Sequence, residues 1–145
     1  MNAVEIDEMH HLIANKKKKF WIFKVLDRDS GKIIPWTASF SRGVAAVRPL
    51  IKKFEQMKDC VFFTDHWPGF RHALAKHRHV VGKDQTVRIE RDNSNTRDRL
   101  ARMKRRTKVV SKKPEMVDIS LRLWQAFEDP DMRSKHVETY LSLYN

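Results

Sequence analysis

Three strand-patterned runs fall within the first 39 residues, and the breaks between them are too short to hold a helix. Ala3 to Met9 alternates apolar Val4 and Ile6 with acidic Glu5 and Asp7, the period of a half-buried strand. Phe20 to Leu26 is aromatic and β-branched and reads as a buried strand. Asn15 and the lysines 16–19 separate these two. Asp27 to Gly31 forms a turn in which Gly31 is available for positive φ, before a third strand from Ile33 to Ser39. Pro35 inside that strand cannot donate to a ladder, so it marks an edge or a bulge. Strands joined by such short turns make an antiparallel meander.

The pattern then changes to helices alternating with strands. Val44, Val47, Leu50, Ile51 and Phe54 recur at helical spacing, predicting a helix from Gly43 to Lys58 with a kink at Pro49. Cys60 to Thr64 is a short apolar run, a buried central strand that ends at Asp65. Pro68 and Gly69 read as a break, and His79 to Gly82 as one more short strand. Asp84 is placed to cap a helix from Gln85 to Arg106, which the β-branched Thr107, Val109 and Val110 would end. Pro114 suits the first position of a last amphipathic helix that buries Val117, Leu121 and Trp124. The expectation is an α/β fold, a ribonuclease H-like mixed sheet of three antiparallel strands with parallel additions, flanked by helices. Residues 1–130 would form this domain, and 131–145 a C-terminal tail whose structure, helical or not, the pattern leaves open.

The chain carries a formal net charge of +12, a surplus that opposes compaction and calls for a polyanionic partner. Nucleic acid is the first choice. An anionic membrane surface is the rival, but no segment confines Lys and Arg to one face opposite a clean apolar one. No apolar run approaches membrane-spanning length. The single cysteine, Cys60, excludes an internal disulfide and the four-cysteine zinc sites, and it points to a cytoplasmic protein.

The stretch from Lys83 to Lys113 holds twelve Lys and Arg against four acids, too many for mutual pairing, so a phosphate backbone is the fitting partner. Glu90 stands among these cations, on one helical face with Asn93 and Arg97. On its own it reads more readily as a surface ion pair with a neighbouring Arg. Asp65 ends a buried strand, where ligands of α/β sheets bind, and is either an active-site carboxylate or the N-cap of the next segment. Asp7 lies late in the first strand and competes for any role with Glu5 on the same face. Three carboxylates on two strands and a helix would suit Mg²⁺ or Mn²⁺. His10-His11 and His77 with His79 lack the cysteine partners or i, i+4 spacing of a zinc site and read as structural or surface groups.

The words Phe63-Thr-Asp-His-Trp-Pro68, His79-Val-Val-Gly-Lys83, Arg88-Ile-Glu-Arg-Asp-Asn-Ser-Asn-Thr-Arg97, Leu100-Ala-Arg102 and Val110-Ser-Lys112 occur in that order. The series resembles the transposase of the bacterial insertion-sequence-one family, from about Val4 to about Trp124. The resemblance implies a catalytic triad of Asp7, Asp65 and Glu90 that holds Mg²⁺ or Mn²⁺, as two ions, and cuts and joins DNA strands at element ends and target. It implies that Asn93, Asn95 and Arg97 support the catalytic helix or the DNA. Lys83, Arg88, Arg91, Arg102, Lys104, Arg105 and Arg106 would join them in contacting DNA. It further implies a homo-oligomer that pairs two element ends, and a DNA-binding region upstream of the first strand that this chain does not show. Two other readings stay open: a decayed, non-catalytic basic module that only binds nucleic acid, and a nuclease of the same fold.

Overall fold

The computed structural model describes residues 2–15, 17–104 and 111–143. Its centre is a five-stranded sheet: β1 (Ala3–Leu12), β2 (Lys19–Asp27), β3 (Ile33–Ser39), β4 (Val61–Thr64) and β5 (Arg78–Val81), in the spatial order β3-β2-β1-β4-β5. β1, β2 and β3 pair antiparallel, while β4 joins β1 and β5 joins β4 in parallel. This is the mixed sheet that the meander and the later alternation predict. Gly31 takes a φ of 71° in the turn between β2 and β3. Pro35 lies in β3, an edge strand, where a missing N–H costs least.

Among the described residues, four helices cover the sheet on its two faces and a fifth follows them. α1 (Val44–Lys52) and α2 (Pro68–Ala73) pack on one face, where Val4, Ile6, Phe23, Val25 and Phe62 meet Leu50, Phe54 and Phe70. α3 (Val87–Arg99) and α4 (Pro114–Glu128) lie toward the other, where Met9, Ile13, Phe20 and Ile22 meet Met103, Val117 and Leu121. α5 (Pro130–Ser142) follows α4 and buries none of its residues.

The boundaries shift for local reasons. β1 runs on to Leu12, because β2 continues to pair with it through His11 and Phe20. The first helix stops at Lys52 and not Lys58. Phe54 still reaches the core, but through tightened turns in which Phe54 N–H donates to the Ile51 carbonyl at 2.8 Å. Pro68 and Gly69 start a helix instead of breaking the chain. Proline fits a first helical position, and Phe70 and Leu74 bury one turn apart.

The helix expected from Gln85 to Arg106 divides. A 3-10 turn over Lys83–Gln85 precedes α3, and Thr86, not Asp84, is the cap residue. Leu100 turns extended at the far end, and a second 3-10 turn carries Met103 into the core. The β-branched Thr107, Val109 and Val110 expected to end that helix, and the cations Arg105 and Arg106, lie outside the described residues.

Candidate active site

Odd-numbered residues of β1 face α3 and α4, which places Glu5, Asp7 and Met9 on one side of the sheet. Glu5 is paired in register with Phe63 and Ile6 with Thr64, so Asp7 and Asp65 follow at the next step of two adjacent parallel strands. Glu90 arrives from α3 above them. The three residues thus come from three elements to the end of β4.

α3 is tied to this face by polar contacts, because its own sequence is too hydrophilic to pack on apolar contacts alone. Ile89, Asn93 and Thr96 are its buried residues, at helical spacing. The buried Glu5 accepts from Arg28 Nε at 2.9 Å with one oxygen and from the Ile89 backbone N–H at 3.1 Å with the other. Ile89 is the third residue of α3, and the cap residue Thr86 makes no side-chain cap bond, so Glu5 supplies an acceptor the helix terminus lacks. Arg28 also donates to the Gln85 carbonyl at 2.8 Å and lies 3.7 Å over the Phe63 ring. Glu5 therefore docks α3, which leaves Asp7 as the acid of β1 at the open end of the site.

Lys24 stands directly opposite Asp7 in the β1–β2 register and is buried. Its amine donates to Asp92 Oδ2 and to Thr96 Oγ1, both at 2.8 Å. Burial pushes its pKa down, and the Asp92 carboxylate opposes that shift. The sequence held a signal for this contact: a lysine inside an apolar strand must find a buried partner or not fold there.

Asp7 Oδ2 accepts from the Asn93 amide at 2.9 Å. Burial raises the Asp7 carboxyl from 3.8 to about 6. Hydrogen bonds from the Glu8 backbone and Asn93 oppose this, and the nearby charges of Asp65 and Glu90 add to it. Asp65 accepts with Oδ1 from the Trp67 backbone N–H at 3.0 Å, which shapes the turn into α2 without capping that helix. Glu90 accepts from the Thr86 hydroxyl at 3.0 Å. None of the three carboxylates forms an ion pair among the described residues. Asp7 senses the charge of the other two, but the three stay apart: among the described residues, no three His, Cys, Asp or Glu side chains close in tightly enough to hold a metal ion.

Behind Asp7, on the opposite sheet face, Glu8 pairs with Arg42, whose guanidinium lies 4.9 Å over Trp21 and 5.0 Å over Trp67. Burial lifts the Glu8 carboxyl to about 7 against the pull of Arg42. Glu8 Oε2 is buried with no hydrogen-bond partner. Nothing in the sequence flagged this pair, since residues 8 and 42 meet only once the sheet is folded.

The residues singled out for DNA divide by placement. Lys83, Arg88, Arg91, Asn95 and Lys104 are exposed. Asn93 is buried and turned to Asp7, Arg97 is half-buried, and Arg102 donates from Nε to the Ser120 hydroxyl at 2.9 Å. The histidines are drawn into the fold: His11 bonds the Ser111 hydroxyl and His79 that of Thr64, each at 2.8 Å.

A mixed sheet of three antiparallel strands with two added in parallel, and helices on both faces, is the fold of integrase-type catalytic cores. The structure is similar to the catalytic core domain of bovine immunodeficiency virus integrase, with TM-score 0.60 and 15% identity over 99% of each chain. It is also similar to the HTLV-2 integrase catalytic core in complex with magnesium, with TM-score 0.50 and 15% identity over 67% of each chain. These cores have the ribonuclease H-like fold, and so has this chain. Residues 1–126 match the family described as IS1 transposase. The insertion element IS1 protein InsB of Shigella flexneri is 32% identical over 116 residues, 80% of this chain and 88% of that protein. The chain belongs to the IS1 transposase family. Among the described residues no helix is long and apolar enough to cross a membrane.

Proposed function

We propose that this chain cuts DNA strands and joins them to a target, with Asp7, Asp65 and Glu90 as the carboxylates that hold a pair of divalent ions. The observation that carries the reading is the charge imbalance at the site. Burial, with the lesser help of the Asp65 and Glu90 charges, raises the Asp7 carboxyl, and none of the three acids has a cationic partner among the described residues, in a chain of net charge +12. An all-oxygen donor set of this kind fits Mg²⁺ or Mn²⁺. When bound, the ions supply Lewis acidity for an attacking water or 3′-hydroxyl and for the leaving 3′-oxygen.

The residues of the chain do the rest. Asp7 gives up its proton to become a ligand, and Asn93 fixes the rotamer in which it does so. Glu5 and Lys24 hold α3 against β1 and β2, so that Glu90 is presented beside Asp7. Glu90 is held by one neutral hydroxyl, so its carboxylate turns toward a cation at small cost. Exposed Lys83, Arg88, Arg91 and Lys104 flank the site and hold the phosphate backbone without reading bases.

The test is cleavage and strand joining of element-end DNA in Mn²⁺. Asp65→Ala is expected to abolish both steps while leaving DNA binding in place. Wild-type rates in that variant would sink the assignment. A product mixture with cut but never joined strands would mark a nuclease. The open arrangement of the three acids favours a second reading, a basic module that binds nucleic acid without catalysis. That reading expects salt-sensitive binding indifferent to divalent metal and no product at all.

A further inference from the structure

β4 ends at Thr64, so the ladder that aligns it with β1 stops one residue short of Asp65. Asp7 is held within β1, but the sheet register alone does not fix how far Asp65 stands from it. Asp65 is tied instead to its own turn, through the Trp67 backbone N–H at 3.0 Å. Where Trp67 is held, Asp65 is held with it.

The Trp67 indole is wedged on three sides. It stacks on Phe23, with ring centroids 5.8 Å apart, and meets the Phe70 ring edge-on at 4.9 Å. It also lies against Gly69, where a Cβ would collide with the indole, so the close approach requires glycine. The Arg42 guanidinium completes the enclosure, 5.0 Å from the Trp67 centroid and 4.9 Å from that of Trp21 on β2.

Arg42 stands in the loop before α1, one residue ahead of the cap position Gly43. Its Nε donates to Glu8 Oε1 at 2.8 Å, and its Nη2 donates to the same oxygen. Glu8 follows Asp7 in β1, and its side chain is 5% exposed. One guanidinium thus links β1, β2 and the turn that carries Asp65. Neutralising Glu8 does not account for this arrangement. A guanidinium placed for charge alone would take both carboxylate oxygens in a fork. Glu8 Oε2 is instead buried with no hydrogen-bond partner among the described residues. Arg42 forgoes that second bond and lies against two indoles, a contact that suits a planar cation.

We propose that Arg42 is a positioning residue: through Glu8 and Trp67 it clamps the Asp65 turn to β1 and so sets the separation of Asp7 and Asp65. Its bearing on metal rests on the proposed function, in which both acids are ligands, whereas the clamp itself does not. Charge and geometry predict opposite signs here. A cation beside a metal site repels the ion, so losing Arg42 for its charge alone would tighten metal binding. Losing it as a clamp weakens binding, as loss of groups that orient ligands does by roughly 10–100-fold.

Two variants test this at pH 8. Arg42→Met removes the clamp. Gly69→Ala displaces the Trp67 ring and leaves Glu8 and Arg42 their charges. The readouts are the Kd for Mn²⁺ alone, by electron paramagnetic resonance, and hydrogen exchange of the Trp67 backbone amide without metal. Each variant is expected to bind Mn²⁺ more than about tenfold more weakly. Each should also exchange that amide more than about tenfold faster, with the amides of α4 unchanged. An Arg42→Met chain that binds Mn²⁺ as tightly as the wild type, or more tightly, overturns the proposal. So does a Trp67 amide that keeps its wild-type rate. A wild type that binds no Mn²⁺ sinks the metal reading of the three acids, and exchange then decides the clamp: faster exchange in both variants upholds it, and an unchanged rate overturns it. If Arg42→Met fails to fold, Gly69→Ala decides by the same two readouts.

Discussion

The Asn93 amide donates to Asp7 Oδ2 at 2.9 Å, joining the inward side of α3 to the middle of β1. This bond favours the ionised carboxylate, yet the Asp7 carboxyl stands at about 6, because burial outweighs it and Asp65 and Glu90 add negative charge nearby. Asp7 is thus held in place by a neutral donor that fixes its geometry without neutralising it. Keeping that carboxylate ionised in a buried place, with no cation beside it among the described residues, costs stability.

That cost has a sign and a pH window. The folded-state value lies above the ordinary one of 3.8, so the folded chain binds the proton more tightly than the unfolded chain does. The stability this gives is fully present below 3.8 and lost as pH rises through about 6. Asp7→Asn removes the penalty. It is expected to stabilise the metal-free chain at pH 8 by on the order of 1–3 kcal/mol, and to make no difference near pH 3.5. Paired urea titrations at the two pH values measure this. A variant that is less stable at pH 8 than the wild type refutes the burial argument.

Lys24→Met tests the anchor of α3. The substitution leaves Asp92, with a side chain 16% exposed, facing a buried gap without its cation. The expected loss is on the order of 3 kcal/mol by chemical denaturation, as for other broken buried pairs. Adding Asp92→Leu should recover much of it, since the uncompensated charge then goes too. A single variant within about 0.5 kcal/mol of wild type would show that α3 is held by its apolar contacts alone.

The strand plan was legible because it rests on local rules. Alternation in β1, the apolar run of β4 and the turn at Gly31 each act over a few residues. The helices were less so where tertiary packing overrode them. α3 looked longer because its charged sequence has no stop signal, and Leu100 leaves the helix only because the core below takes Met103. At the site, Asp7, Asp65 and Glu90 were named from the motif resemblance, and what brings them near one another is the β1–β4 register and the docking of α3. The strand pattern alone left Glu5 and Asp7 as rivals, because both share one face, and the partners that engage Glu5, Ile89 and Arg28, come from far along the chain or from just past the next strand. Lys24 sat in plain view in an apolar strand, but its partner lies 68 residues away.

Glu5→Gln tests that separation. A glutamine keeps one acceptor oxygen, so it cannot serve both Arg28 and the Ile89 N–H, and a buried donor is left unmet. The expected cost is about 1–3 kcal/mol. The more specific readout is hydrogen exchange: amides 87–90 at the start of α3 should exchange faster, while those of α4 should not. Uniform acceleration over both helices would mean that Glu5 stabilises the whole fold and has no particular role in docking α3.

Divalent metal provides the last check, because it reads the three acids without requiring turnover. An ion that binds only the folded chain raises its melting temperature by an amount that grows with the logarithm of its concentration relative to its Kd. Mn²⁺ is expected to stabilise the wild type at pH 8, where Asp7 is ionised, and far less at pH 5, below its pKa of about 6. Asp65→Asn and Glu90→Gln should each remove most of the shift at pH 8, while Glu5→Gln, although less stable at the outset, should keep it. An equal Mn²⁺ shift in Asp65→Asn and wild type would place the ion elsewhere on the chain. The three acids would then be a cluster without a cation, and the basic surface around α3 would be left with binding alone.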